Sequence, residues 1–284
     1  MFGFNRSITP LLGVDISSSS VKILEIADQN NQIRVENYVI EPLPQNSVTE
    51  KNIVDVNTVG ETIARAVSKM STKKKFAACA VAGAGVISKI ISLPANLQPE
   101  ELENRIKIDA GQYVPFPLEE VNLDYEILGE SKLKANEVDV LLAASRSDDV
   151  DIRVAALEIG GLTTNIVDVE EFVLENVFIF LKKNDDNILD EGVIGFMDIG
   201  STTSSLSVFE NNSMLYSRDQ NFGGRRLIDD IRRRYNLSYE EAISSRTKSN
   251  LPQDYETEVL EPFKKAVVQE VNRALQFFHS SSQV

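Results

Sequence analysis

The sequence predicts a mixed α/β protein of two related domains, and two hairpin patterns carry this prediction. In residues 193–209 an apolar run ends in Asp-Ile-Gly, a hydroxyl-rich turn follows, and an alternating apolar pattern resumes. This order is typical of a buried strand, a glycine-bearing turn and a half-buried return strand. Residues 11–26 repeat it with Asp-Ile, a serine-rich turn and another alternating strand. Because each hairpin opens one half of the chain, the repetition indicates duplicated domains that face each other.

The tips of the two hairpins have the chemistry of a phosphate site. Asp198 stands where its strand opens out, and Gly200 lets the backbone approach a ligand. The hydroxyl groups that follow suit phosphate oxygens and a hydrated Mg²⁺. A single Asp-x-Gly turn is more often plain turn chemistry. Asp15 in the first hairpin makes the pattern occur twice, and this coincidence favours a nucleotide site.

Composition excludes some classes of function. The 284 residues are enough for two domains with a substantial core, and the charged fraction of 25% is ordinary for a globular protein. The net charge of −14 argues against nucleic-acid binding unless a basic face overcomes it. An arginine-rich segment lies within 225–234, but its acidic neighbours Asp229 and Asp230 favour a solvated helix face.

The sequence also bounds compartment and redox chemistry. Cys79 is the one cysteine, which excludes an internal disulfide, and its strand of small residues favours a buried inert thiol. His279 alone cannot build a histidine metal site. The first residues have no signal-peptide core, and no uncharged run approaches the roughly 20 residues of a membrane span. These features predict a cytosolic protein unless a partner tethers it.

The first part of the chain reads as β-β-β-α-β, followed by a second unit. After the first hairpin, the predicted elements are a strand over 33–40, a helix over 56–70 and a strand over 76–82. In residues 83–164 the predicted elements are strands over 86–93, 121–128 and 138–144 and helices from 99 and over 148–159. No catalytic residue types concentrate there, which favours an interaction or structural subdomain.

The second part begins after the polar stretch 182–191, which is the clearest linker. Gly223 and Gly224 precede a predicted helix over 225–235. Glycines there leave free N–H groups at the positive helix end, a usable seat for an anion or a ribose, although the pair is also common turn punctuation. The last predicted helix, over 256–278, has an apolar stripe that indicates core packing: Val259, Phe263, Val267, Val271, Leu275 and Phe278.

Six stretches carry a resemblance to a known family. They are 12–19, 41–44, 112–124, 138–144, 221–224 and 275–278. The chain resembles the actin-like (ribonuclease H-like) ATPase fold and, within it, the PilM family of type IV pilus assembly. The similarity extends over essentially the whole chain, and the middle stretches are specific to PilM proteins. The resemblance therefore implies a two-domain α/β actin-like fold with an FtsA-type 1C subdomain.

The resemblance implies a nucleotide site for ATP and Mg²⁺. The hairpins would be two phosphate loops, with Asp15 and Asp198 holding Mg²⁺ largely through water across the nucleotide. Glu170 would position the attacking water. Arg246, with Ile243, stands where relatives have residues against the ribose and base. The other nucleotide-binding residues would be Ser17, Ser18, Ser19, Ser20, Lys22, Gly200, Ser201, Thr202, Thr203, Gly223 and Gly224.

The resemblance also implies domain bounds. Subdomain 1A would comprise 1–82 and 165–187, subdomain 1C would be 83–164, and domain 2 would be 188–255. Residues 256–284 would pack against the sheet of subdomain 1A. A strand and a glycine-rich turn beyond Val284 would complete that sheet.

The family role implied is that of a cytoplasmic ATP-binding adaptor, recruited to the cytoplasmic face of the inner membrane through its partners. A groove within or beside 83–164 would take the N-terminal tail of PilN, an inner-membrane protein. Other pilus assembly proteins, including the assembly ATPases, and self-association are further expected contacts, and nucleic acid is not. Neither turn has the Gly-Gly-Gly-Thr of strong actin-like ATPases, which implies slow or absent hydrolysis.

Two other functions of the same fold stay open as alternatives. A sugar or acetate kinase needs an acceptor pocket with a base, and no Asp or His is obviously free for that role. A filament-forming protein like actin or MreB is disfavoured by the substituted 1C-type subdomain.

Overall fold

The structure is a computed structural model in which residues 11–29, 32–83, 85–184, 192–211 and 213–281 are described. The chain divides into two compact units between Val173 and Leu174. Most of the predicted linker, 185–191, lies outside the described residues, as does the predicted start of domain 2 at residue 188.

The first unit contains a five-stranded sheet and a three-stranded sheet. Its strands are β1 (Leu11–Ile16), β2 (Ser20–Gln29), β3 (Gln32–Pro42), β4 (Val48–Thr49), β5 (Asn52–Ile53), β6 (Phe76–Val81), β7 (Val86–Pro94), β8 (Val121–Glu130), β9 (Glu137–Arg146) and β10 (Thr163–Val169). Its helices are α1 (Val56–Lys69), α2 (Pro99–Ala110) and α3 (Ser147–Ile159), and α4 (Glu170–Asn184) continues into the second unit. The larger sheet has the order β10-β6-β1-β2-β3, with β1, β2 and β3 antiparallel and β6 parallel to β1.

Helix α1 buries one face of the larger sheet, as the periodicity predicts. Asp55 caps it, because its carboxylate accepts a hydrogen bond from the Thr58 N–H at 3.0 Å. Val59 and Ile63 are fully buried in the same core as Leu12 of β1. The predicted order β-β-β-α-β is therefore confirmed except for the two short strands β4 and β5, which lie where the sequence predicts a loop.

Helix α3 also belongs to that core, which corrects its assignment to the 83–164 unit. Ala156 and Leu157 are fully buried beside the α1 side chains. Two glycines allow the helices to approach closely. A Cβ atom on Gly60 of α1 would lie 2.4 Å from the Cγ2 atom of Ile159, and one on Gly160 would lie 2.3 Å from the Cγ2 atom of Ile63. This non-local packing is invisible in the local sequence pattern.

The three-stranded sheet forms a separate core with α2. Its order is β7-β9-β8, and all neighbours are antiparallel. Leu102, Ile106 and Ala110 of α2 are buried against it, as their spacing predicts. The apolar side chains buried with them come from β7 and β9: Ile91, Leu93, Val140 and Leu142.

Arg153 on α3 is buried and connects three segments. Its guanidinium donates to the carbonyl oxygens of Ala80 at 3.0 Å, Asp149 at 2.7 Å and Lys51 at 2.7 Å. Desolvation lowers the pKa of Arg153 below its ordinary value. Lys51 belongs to a two-residue turn between β4 and β5, in which Glu50 and Lys51 both have positive φ.

Glu41 on β3 gives the first unit a defined pH dependence. It is buried beside α1, where the hydrogen bond from Lys69 and the nearby Arg65 lower its pKa from the usual 4.5. Because the folded-state pKa is the lower one, the ionised carboxylate stabilises the fold fully above pH 4.5, and this contribution is lost as the pH falls through the folded-state value. We expect stability to urea below pH 4.5 to fall more steeply in the wild type than in Glu41→Gln. Parallel pH profiles for the two proteins would contradict this assignment.

The second unit is a three-stranded antiparallel sheet with helices. Its elements are β11 (Val193–Ile199), β12 (Ser204–Glu210), β13 (Ser213–Gln220), α5 (Arg225–Tyr235), α6 (Tyr239–Thr247) and α7 (Glu261–Ser281), which follows a π-helical turn at Glu256–Leu260. The order is β11-β12-β13. The central strand β12 is almost wholly buried, whereas Val193 and Ile199 at the two ends of β11 are exposed. The predicted burial of the two hairpin strands is therefore reversed, because α7 covers Leu206 and Val208 on one face of β12 and Phe178 of α4 stacks on Phe209 on the other.

Helix α7 packs on the sheet of the second unit, and the predicted packing of 256–284 on the first sheet stays a prediction. Ala274 and Phe278 share a core with Leu206 and Val208 of β12. The predicted stripe is confirmed at Val259 and Phe278, which are buried, whereas Leu275 is 40% exposed; Ala266, Glu270 and Ala274 are buried as well.

Candidate functional site

The first turn joins β1 to β2 and is closed by its own serines. The Ser17 N–H donates to the Ser20 carbonyl at 3.0 Å, and the Ser17 hydroxyl donates to the same oxygen at 2.9 Å. The Ser19 carbonyl accepts from the Leu43 N–H at 2.9 Å, which fixes the turn against the end of β3. Ser20 is buried, whereas Ser18 and Ser19 lie further out. The structure thus brings the four predicted serines together in one compact turn.

Asp15 lies just before this turn and forms an ion pair across the hairpin. The Lys22 Nζ atom is 2.7 Å from Oδ2 of Asp15, and the two residues are direct partners in the β1–β2 register. Both side chains are about half exposed, at 50% for Lys22 and 55% for Asp15. A cation that bound Asp15 would therefore compete with Lys22, while Lys22 would be available to a neighbouring phosphate group.

Glu170 lies at the start of α4 in the first unit. Its carboxylate is 2.5 Å from the Lys51 Nζ atom, so the predicted water-positioning residue is held by the turn between β4 and β5. Lys51 also accepts from Arg153 through its carbonyl oxygen. The sequence gives no signal of this connection, because the partners are far apart in the chain.

The second turn joins β11 to β12 and is tight. The Gly200 N–H donates to the Thr203 carbonyl at 3.0 Å, and a Cβ atom on Gly200 would lie 2.8 Å from that oxygen. The hydroxyl oxygens of Thr202 and Thr203 are 3.5 Å apart. Ser204 follows them, and its hydroxyl donates to the Phe222 carbonyl at 2.8 Å. Gly200 is needed here because backbone atoms approach it.

This turn packs directly on Gly223 and Gly224. The Gly224 N–H donates to the Gly200 carbonyl at 2.9 Å, and the Arg225 N–H donates to the Ser201 carbonyl at 2.8 Å. The prediction of free N–H groups at the start of α5 is therefore wrong for Gly224 and Arg225, because both N–H groups are hydrogen-bonded to the turn. Gly223 is required because a Cβ atom would lie 2.4 Å from the Ser201 carbonyl oxygen.

A cavity of about 470 Å³ opens beside the second turn and lies wholly within the second unit. It is lined by Ser201, Thr202, Asn221, Phe222, Gly223, Arg225, Arg226, Asp229, Arg233 and Glu270. Its volume is in the range of about 300–1,000 Å³ that small-molecule sites occupy. Ser201, Thr202 and Gly223 are predicted from the sequence to bind a ligand. The arginines of the lining, Arg225, Arg226 and Arg233, are not, because the sequence predicts a solvated helix face for them.

The remaining predicted residues lie outside this cavity. Arg246 is exposed on α6, and Ile243 is 40% exposed one turn earlier. Asp198 is exposed near the end of β11, opposite Ser205 of β12. Asp15 and Asp198 belong to different units, each described by itself, so their shared Mg²⁺ stays a prediction.

The two predicted metal-binding carboxylates, Asp15 and Asp198, are compatible with a Mg²⁺ ion that is bound mainly through a nucleotide. No group of three or more acidic, histidine or cysteine side chains gathers for a metal among the described residues. Mg²⁺ in nucleotide sites is commonly held by one or two carboxylates, phosphate oxygens and water, which needs no larger group. Cys79 is not available as a ligand or nucleophile, because burial raises the pKa of its thiol to about 11.

The two units define the class of protein. A sheet in the order β3-β2-β1-β6-β10, and a second unit that opens with the same antiparallel hairpin and turn, are the parts of an actin-like, ribonuclease H-like protein. The chain belongs to the family of type IV pilus assembly protein PilM, whose model matches residues 13–284. The predicted fold class is confirmed.

Two solved structures are similar to the chain. One is a PilM–PilN type IV pilus biogenesis complex, with a TM-score of 0.72, 24% identity, and coverage of 95% of this chain and 77% of that one. The other is the ethanolamine utilization protein EutJ from Carboxydothermus hydrogenoformans, with a TM-score of 0.56, 11% identity, and coverage of 96% and 72%. At these identities the likeness shows the fold. Among the described residues, none of the helices combines the length and hydropathy that a membrane span requires.

Proposed function

We propose that this PilM-family protein is a nucleotide-binding adaptor of the type IV pilus assembly complex at the inner membrane. It binds the N-terminal tail of PilN and carries Mg-ATP with slow or no turnover. The observation that carries the proposal is the family match over 13–284, together with the likeness to a structure of PilM with PilN. Cytoplasmic location at the inner-membrane face follows from that partner.

The nucleotide part of the proposal is supported by the two turns. The second turn is fixed on Gly223 by backbone contacts and faces a cavity of nucleotide-compatible volume. The first turn presents Asp15 and Lys22 beside clustered serine hydroxyls. In this proposal ATP supplies the phosphate oxygens that complete the Mg²⁺ shell, and Asp15 and Asp198 hold that shell through water.

Slow turnover of ATP is supported by the ion pair between Lys51 and Glu170, the candidate catalytic carboxylate. One carboxylate oxygen of Glu170, Oε2, is paired with Lys51, so only the other oxygen, Oε1, is left to orient a water molecule. Neither turn offers a run of glycine N–H groups for a phosphate, and the Gly224 N–H is already bonded. An adaptor needs binding rather than rapid chemistry, and the proposal assigns it that role.

The partner part of the proposal rests on residues 83–164. The three-stranded sheet with α2 has an apolar core of its own and presents exposed apolar side chains at Ile90 and Ile127. We assign the PilN tail to a groove within or beside this segment. A PilN-tail peptide is expected to retain the full chain in a pull-down, with an affinity that differs with and without Mg-ATP. Equal retention by a scrambled peptide would contradict the assignment.

Asp15→Ala tests the nucleotide part. We expect its affinity for Mg-ATP, measured by calorimetry, to fall at least about tenfold, because one of the charges that holds the metal is lost. Asp28→Ala is the matched control, since Asp28 is an exposed carboxylate on the same strand pair, away from the turn. Unchanged affinity in Asp15→Ala would remove Asp15 from the site.

A further inference from the structure

The cavity beside the second turn has an unbalanced positive charge. Three of its charged side chains have a partner of opposite sign: Asp229 bonds Arg232 at 3.1 Å, Glu270 pairs with Arg273 at 3.1 Å, and Arg233 bonds Asp230. The two other charged residues in the lining are Arg225 and Arg226. Neither has a carboxylate within ion-pair distance among the residues that the structure describes. They are therefore the source of the excess charge.

Aromatic rings rather than carboxylates neighbour these two guanidinium groups. That of Arg225 is 5.9 Å from the centre of the Tyr239 ring, and that of Arg226 is 5.7 Å from the centre of the Phe222 ring. Phe222 is itself buried and stacked on Phe263 at 5.9 Å, so its position is fixed. Contacts of this kind orient a guanidinium without neutralising it.

The same cavity contains neutral hydrogen-bonding groups suited to an anion. Ser201 and Thr202 contribute hydroxyls, and Asn221 contributes an amide. The backbone N–H groups of Gly224 and Arg225 are bonded to the turn and cannot serve. In a protein with a net charge of −14, two uncompensated arginines around such a cavity are the local basic surface that an anionic ligand requires.

We infer that Arg225 and Arg226 bind the phosphate groups of the nucleotide, and that side-chain charge replaces the backbone N–H cradle at the second turn. This rests on the proposed nucleotide site and names its phosphate-binding residues. Guanidinium groups recognise phosphate oxygens in pairs and do not distinguish bases. Affinity therefore depends on the number of phosphates rather than on the base: Mg-ATP and Mg-GTP bind alike, AMP binds much more weakly, and inorganic tripolyphosphate also binds.

The test is calorimetry on the full chain with Mg-ATP, Mg-GTP, AMP and magnesium tripolyphosphate. In the double variant Arg225→Gln/Arg226→Gln we expect affinity for the two triphosphates and for tripolyphosphate to fall about tenfold to a hundredfold, as two charge-assisted contacts are lost. The double variant Arg225→Lys/Arg226→Lys is expected to recover only part of the wild-type affinity. Its ammonium groups keep the charge but cannot donate two parallel hydrogen bonds to a phosphate.

Arg234→Gln is the matched control. Arg234 lies on the same helix, but it is bonded to Asp254 at 2.8 Å and does not line this cavity. Its ligand affinities are expected to stay within about twofold of the wild type. Circular dichroism of each variant checks that α5 remains folded.

The outcomes separate this inference from the function on which it rests. If the double variant binds Mg-ATP as tightly as the wild type, the arginines do not contact phosphate, while the nucleotide-binding function stands. If Mg-ATP binds the wild type far more tightly than Mg-GTP, base recognition dominates and the inference is wrong. If tripolyphosphate binds and is lost in the double variant while no nucleotide binds, the arginines are a polyphosphate site and the proposed nucleotide-binding function fails.

Discussion

Gly223→Ala is expected to destabilise the second unit by about 3 kcal/mol and to abolish binding at the cavity, because an added methyl group overpacks a closed backbone contact. Its Cβ atom would lie 2.4 Å from the Ser201 carbonyl oxygen and 2.6 Å from that of Gly200. Both atoms are backbone, so a rotamer change cannot relieve the clash. The turn has to move away from α5, which breaks the bonds from the N–H groups of Gly224 and Arg225.

The neighbouring glycine supplies the control for that experiment. A Cβ atom on Gly224 would be 3.8 Å from the Gly200 carbonyl oxygen, an ordinary contact, and the backbone there is right-handed helical. Gly224→Ala is therefore expected to leave urea stability within about 0.5 kcal/mol of the wild type. Calorimetry with Mg-ATP and urea unfolding are measured on both variants. Similar losses in the two would show that the turn is not held by the contact at Gly223.

Arg153→Met is the second large expected effect, a loss of about 3 kcal/mol or more in the free energy of unfolding. The replacement removes all three donors to the carbonyls of Ala80, Asp149 and Lys51 and leaves those acceptors in a largely buried site. The side-chain volume is nearly kept, so the loss reports hydrogen bonding rather than a cavity. Urea unfolding gives the magnitude, and hydrogen exchange is expected to increase in β6 and in the turn between β4 and β5.

Substitution of an exposed arginine is the control that separates the loss of buried hydrogen bonds from the loss of a positive charge alone. Arg34 on β3 has a side chain that is 69% exposed and pairs only loosely with Glu36, at 3.6 Å. Arg34→Met is expected to change stability by less than about 0.5 kcal/mol. If Arg153→Met were no more harmful than Arg34→Met, the three hydrogen bonds would contribute little to the fold.

Features that depend on local periodicity could be predicted from the sequence. The strand alternation of the first hairpin, the stripe of α1 with Val59 and Ile63, and the buried face of α2 are all present in the structure. The close approach at Gly200 could also be predicted, although the atom that approaches it is the Thr203 carbonyl oxygen, whereas the backbone contact that requires Gly223 could not.

Features that depend on distant partners could not be predicted. Arg153 and Glu270 are charged residues on helices, and their side chains alone predict exposure, yet both are buried. The turn at Glu50–Lys51 lacks the Asn-Gly or Asp-Gly signal of a two-residue hairpin, although both residues adopt positive φ. The local pattern predicts free N–H groups at the start of α5. This prediction fails because carbonyl groups of the turn between β11 and β12, which is distant in sequence, accept hydrogen bonds from them.

The bonded state of the second turn has a consequence for kinetics. Because its carbonyls are already tied to the start of α5, the entropy of ordering this loop is lost during folding and not on ligand arrival. Association at this preorganised surface should then be a single fast phase, limited by diffusion and electrostatic steering rather than by loop closure. Any signal that a bound nucleotide sends to a partner must accordingly begin in a segment other than this one.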